Sequence, residues 1–89
     1  MFILAQIPIN INITYYNYSS SFSQPTLRYK DKGEKVIKLQ SLLRAKKYLI
    51  KIDGVFGVST EIAVKAFQSS QRLKTDGVVG SETWKALKK

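Results

Sequence analysis

The chain has 89 residues, a formal net charge of +9 at pH 7 from fifteen Lys or Arg against six Asp or Glu, and neither His nor Cys. That length leaves room for one small folded unit and whatever trails from it. Lacking His and Cys, it cannot build a zinc finger, a His-ligated hydrolase metal, a Cys or Ser–His nucleophile or a disulfide framework, and no metal or other cofactor is expected. No apolar run reaches the ~20 residues that cross a bilayer. The positive surplus favours polyanionic partners: nucleic acid, anionic lipid or an acidic wall polymer.

Residues 1–27 carry no charged side chain, so charge alone divides the chain into 1–27 and 28–89. Within the uncharged part Ile7, Ile9, Ile11, Ile13 and Tyr15 alternate with polar residues. That is a strand period, which Pro8 confines to an edge or a strand start. The run from Ser19 to Pro25 reads as linker. Three readings stay open for this part: a loosely held extension, a degenerate secretory signal without its basic start, and a strand docked on the folded part.

Residues 28–89 contain three helix-like runs. The first, Glu34 to about Lys46, puts Val36, Leu39, Leu42 and Leu43 on one face. The second, about Val58 to Ser70, does so with Thr60, Ala63, Val64 and Phe67. The third runs from Ser81 to about Lys88 with Thr83, Trp84 and Leu87 inward. Three amphipathic stripes joined by short connections predict an all-α fold, a compact three-helix bundle preceded by an extended or disordered segment. Ile37 and Ile62 fall off the stripes, and residues 7–15 are one candidate to cover them.

The connections repeat. Lys51-Ile52-Asp53-Gly54-Val55-Phe56-Gly57-Val58-Ser59-Thr60 returns twenty-three residues later as Lys74-Thr75-Asp76-Gly77-Val78-Val79-Gly80-Ser81-Glu82-Thr83. In each, an Asp-Gly turn precedes an apolar pair and a Gly at a helix N-cap, from which Thr60 or Thr83 is expected to bond back toward the cap. Glu34, Glu61 and Glu82 occupy first turns, where the helix dipole favours negative charge. Gln40 and Gln68 fall at the edge of the buried stripes and are expected to bond loop backbone.

From about Leu27 to Leu87 these motifs resemble the three-helix peptidoglycan-binding domain. Gly33, Val36 and Leu39-Gln40 match its opening. Asp53-Gly54, Phe56-Gly57, Thr60, Ala63-Val64 and Phe67-Gln68 match its centre. Asp76-Gly77, Gly80, Thr83-Trp84 and Ala86-Leu87 match its end. Two departures stand out: where the family usually has Gly, just after each of the first two helices, this chain has Lys47 and Arg72. A non-Gly residue there costs about 1 kcal/mol if the left-handed ending is kept, so either somewhat lower stability or a different helix ending is expected.

The resemblance implies a non-catalytic module that binds peptidoglycan, through its glycan strand or stem peptide, and anchors or targets wall hydrolases. It further implies a cell-envelope or extracellular location, a monomer, and either a stand-alone adaptor or a fragment of a longer protein. No nucleic-acid partner is expected, although a basic three-helix nucleic-acid binder is the alternative that charge and helix count permit. The six acids all have turn or helix-end explanations, so no carboxylate pair for glycoside hydrolysis is left. Candidate ligand residues are Arg28, Tyr29, Tyr48, Asp53, Phe56 and Trp84. Asp53 has a competing turn role, Phe56 and Trp84 a competing core role, and Tyr29 and Tyr48 lie beside cations.

Overall fold

A computed structural model describes residues 24–89, which form three helices and no strand: α1 (Glu34–Ala45), α2 (Val58–Ser70) and α3 (Ser81–Leu87). The expected all-α three-helix unit is therefore present, with each helix within a residue of its sequence-read limits. Residues 1–23, and with them the docking strand suggested for 7–15, lie outside the described residues.

The stripes bury as their spacing dictates. Val36, Leu39 and Leu43 of α1 meet Ala63, Val64 and Phe67 of α2 and Trp84 and Leu87 of α3, with Leu27, Phe56 and Val79 closing the core from the loops. Leu42 departs slightly from expectation: it is only partly buried, packed against this cluster. Each fully buried Phe or Leu side chain contributes about 1.5–3 kcal/mol from surface removed from water.

Two antiparallel bridges tie the loops together. Leu27 N–H donates to the Val79 carbonyl at 3.1 Å and Val79 N–H returns the bond at 2.8 Å. Lys32 lies opposite Val55, the pair held by the flanking residues: Phe56 N–H donates to the Asp31 carbonyl at 2.8 Å and Gly33 N–H to the Gly54 carbonyl at 3.0 Å. Just upstream, the indole Nε1 of Trp84 donates to the Pro25 carbonyl at 2.8 Å. The segment before α1 is thus strapped across α3 and joins the core through Leu27.

Both long helices keep the left-handed ending and do not adopt a different one. Lys47 holds φ +79° and Arg72 φ +59°, the left-handed conformation that closes a helix. Tyr48 N–H reaches back to the Leu43 carbonyl at 3.0 Å, and Leu73 N–H to that of Gln68 at 2.9 Å. These are Schellman endings with a basic side chain where Gly is unstrained. Lys47→Gly and Arg72→Gly are accordingly expected to add about 0.5–1 kcal/mol each, net of glycine's greater unfolded-state freedom. Together they raise the thermal midpoint by roughly 5–10 °C. A lowered midpoint in a circular-dichroism melt contradicts this account of the helix ends.

Candidate functional site

The repeated loops are organised by two glutamines. The Gln40 side chain is fully buried. Its Oε1 accepts from the backbone N–H of Asp53 at 3.0 Å and of Gly54 at 2.9 Å. Its Nε2 donates toward Asp53 Oδ1 at 3.1 Å, the Val55 carbonyl at 3.0 Å and Thr60 Oγ1 at 3.1 Å. Two hydrogens face three acceptors, so one bond is shared. With donors on one side and acceptors on the other, only one amide orientation fits.

Gln68 repeats the arrangement. Its Oε1 accepts from Gly77 N–H at 2.9 Å, and Nε2 donates toward Asp76 Oδ1 at 3.2 Å, the Val78 carbonyl at 3.0 Å and Thr83 Oγ1 at 3.1 Å. The glutamines do bond neighbouring loop backbone, but from the centre of the core rather than its edge. The threonines correct the expectation more sharply. None of the three helices has a side-chain N-cap bond. Thr60 and Thr83 instead present their hydroxyl oxygens to the buried amides.

Gly54 and Gly77 both hold φ +76°. A Cβ on Gly54 would come within 3.2 Å of Ile37 Cγ1, and one on Gly77 within 3.1 Å of Lys65 Cε. These two positions need glycine for conformation, and a Cβ at either would also press on its neighbour. The contact also explains Ile37, which is 42% exposed because one side packs on Gly54; Ile62 is freer, at 63%.

Each Asp closes its own turn. Asp53 Oδ1 accepts from Val55 N–H at 3.0 Å and Asp76 Oδ1 from Val78 N–H at 2.9 Å. Those backbone bonds, helped by the Gln40 and Gln68 amides, hold both carboxyls below their ordinary 3.8. A depressed folded pKa gives stability that is complete above the unfolded value and lost as pH falls through the folded one. The thermal midpoint should therefore stay flat from pH 7 to about pH 5 and drop below about pH 4. Asp53→Asn with Asp76→Asn should flatten that acid limb; an unchanged acid slope in the double variant speaks against the turn carboxylates as its source.

The candidate ligand residues fall into two groups. Phe56 is fully buried and Trp84 is 2% exposed, so neither ring offers a face to solvent. Asp53 is exposed on the surface but engaged in its turn. Tyr48 is half-buried, its ring edge-on to Phe67 with centroids 6.3 Å apart. It lines an apolar groove of about 270 Å³ with Leu49, Ile50 and Ile62. Arg28 and Tyr29 are exposed, in the loop before α1.

That loop brings in two residues the sequence reading had not selected. Lys30 places its Nζ 5.8 Å from the Tyr29 ring centroid, and Lys32 joins them around a groove of about 350 Å³ bordered by Val55, Phe56 and Gly57. The only sequence signal was the run Arg28-Tyr29-Lys30-Asp31-Lys32, an aromatic among cations. At the other end Lys88 lies 5.9 Å from the Trp84 centroid. Its pKa is lowered by burial and then by Lys38 and Lys35.

Among the described residues no group of three or more acidic side chains is placed to hold a metal, and no helix is long and apolar enough to cross a membrane. The family model of the peptidoglycan binding domain matches residues 32–87. A protein of Kitasatospora aureofaciens is 42% identical over 69 residues, covering 75% of this chain and 58% of its own length. The spore cortex-lytic enzyme of Bacillus cereus is 40% identical over 70 residues, covering 78% of this chain and 27% of the enzyme. Among solved structures, the SleB N-terminal domain superposes with a TM-score of 0.70 at 40% identity, over 74% of this chain and 92% of that domain. This chain thus spans 58% and 27% of the two relatives and nearly all of the solved domain. With the twinned Gln–Asp-Gly–Thr loops in place across that match, the chain belongs to the peptidoglycan-binding domain family.

Proposed function

We infer that this chain binds bacterial cell-wall peptidoglycan without catalysing its breakdown, and holds whatever it is joined to against the wall. The family match over residues 32–87 carries the reading. The charge supports it. Peptidoglycan carries peptide carboxylates, so a chain of net charge +9 is drawn to it by a field that salt screens. Individual sites can be weak, about 4 kcal/mol for a millimolar contact. A tethered module on a repetitive polymer still gains from rebinding.

Absence of catalysis rests on the carboxylates. Asp53 and Asp76 are committed to turns, and the Asp31 carboxylate accepts from Arg28 N–H at 2.9 Å. Glu34, Glu61 and Glu82 stand in the first turns of the three helices. The module, residues 28–89, acts as a monomer on the outer side of the membrane.

The test is retention of the full chain on purified sacculi at physiological salt, with duplex DNA as competitor. Binding that DNA does not displace, with no release of reducing ends or free amines, is expected. Preference for DNA, or bond cleavage, overturns the reading.

A further inference from the structure

We propose that the groove formed by Tyr29, Lys30 and Lys32 against Val55 binds a sugar ring bearing a free carboxylate, the acidic sugar of wall glycan from which the stem peptide has been removed; this rests on the wall-binding reading above. The first observation is a backbone outlier. Asp31 N–H donates to the Arg28 carbonyl at 3.0 Å, closing a four-residue turn whose third residue, Lys30, holds φ +84°. That position suits glycine. Lys47 and Arg72 share such a conformation, but both complete helix endings; Lys30 completes none. A strained residue held in place by its surroundings is a pointer to function.

The surroundings do hold it. Lys30 N–H donates to the Phe56 carbonyl and Phe56 N–H to the Asp31 carbonyl, both at 2.8 Å, while Gly33 N–H donates to the Gly54 carbonyl at 3.0 Å. Arg28 N–H is fixed on the Asp31 carboxylate at 2.9 Å. The loop is therefore laced to the first Asp-Gly turn, so the side chains it presents are pre-positioned rather than gathered on binding.

What it presents is specific. Tyr29 is 42% exposed, with the Lys30 ammonium 5.8 Å from its ring, and Val55 is 43% exposed beside exposed Lys32. An aromatic face next to an aliphatic side chain suits the C–H face of a pyranose, and two ammonium groups suit an acid on the same ring. At about 350 Å³ the groove is at the small end of ligand sites, the size for one ring and its substituent.

The test is an ¹⁵N-amide titration of the full chain with N-acetylmuramic acid. N-acetylglucosamine supplies the ring without the acid, and D-lactate the acid without the ring. Shifts centred on residues 29–32 and 55–57 are expected, with Kd at least threefold weaker for both partial probes. Lys30→Gly should weaken binding at least threefold while leaving the melting midpoint unchanged or raised, which a structural role for Lys30 does not predict; Tyr29→Ala should weaken it similarly. Shifts centred elsewhere, equal binding of lactate, or unaltered binding by Lys30→Gly overturns the proposal. Retention of Tyr29→Ala/Lys30→Gly/Lys32→Gln on sacculi stripped of stem peptides by an amidase, equal to that of the parent, overturns this site and leaves wall binding standing. Failure of the parent itself to be retained removes both.

Discussion

Gln40→Ala is expected to cost about 3–4 kcal/mol, most of the stability of a module this small. The loss has two sources. The N–H groups of Asp53 and Gly54 lose their acceptor, and Gly54 is buried, so its unpaired donor costs about 1–3 kcal/mol by itself. The remainder comes from the cavity left by a side chain with no exposed surface. At ~0.05–0.15 kcal/mol per residue, a domain of this size has only a few kcal/mol in total. Gln40→Met should recover part of the packing but not the hydrogen bonds, so it should fall between parent and Ala in urea unfolding. Gln68→Ala should be milder, because Gln68 Oε1 accepts one backbone bond where Gln40 accepts two. A Gln40→Ala loss below about 1 kcal/mol would show that the loops hold their shape without the amide.

Trp84→Ala is the second large effect, about 3–5 kcal/mol from truncating a ring that is 2% exposed. Trp84→Phe separates the two roles of the indole. It retains most of the core packing and deletes only the Nε1 bond to the Pro25 carbonyl, so about 1 kcal/mol is expected. The phenylalanine variant should also free the strap without unfolding the helices. Amide exchange at Leu27, bonded to Val79 at 3.1 Å, should speed up while exchange within α1 and α2 stays slow. Equal acceleration throughout would mean that the strap is no separable unit and that the whole module opens together.

Much of this architecture was legible because its signals are local. Asp-Gly followed by an apolar pair and an N-cap glycine defines both loops, and the Val36/Leu39/Leu43 and Ala63/Val64/Phe67 stripes define the faces that meet. The glutamine clasps were not legible in the same way. Gln40 precedes its Asp53 by thirteen residues, whereas Gln68 precedes Asp76 by eight. No single period aligns them, so the sequence sets both glutamines against loop backbone but shows neither their full burial nor their matched Asp and Thr partners. Thr60 and Thr83 were misassigned for a related reason. A threonine in the first turn of a helix satisfies the local rule for capping, but here a buried amide from the preceding helix competes for the same oxygen and wins.

The surface was harder to read than the core. Phe56 and Trp84 share composition with ligand-stacking residues, and only burial distinguishes the two roles. Lys30 showed only as a cation beside Tyr29, because a lysine at positive φ cannot be recognised until the turn from Arg28 to Asp31 is seen to close. Tyr29 was legible as a candidate, but Lys32 acquires meaning only from the bridge to Val55 that brings it to the same groove.

The central claim is that a rigid, doubly clasped bundle recognises the wall polymer itself and does not merely adhere to it by charge. Co-sedimentation of the full chain with purified, polymer-stripped wall across a salt series tests this most directly. Raising the salt from 0.15 M to about 1 M shortens the screening length from roughly 8 Å to 3 Å, which suppresses attraction by bulk charge but leaves close contacts largely intact. The account predicts weakened but measurable retention at the high-salt end. Complete release there, or no retention at any salt, would contradict it.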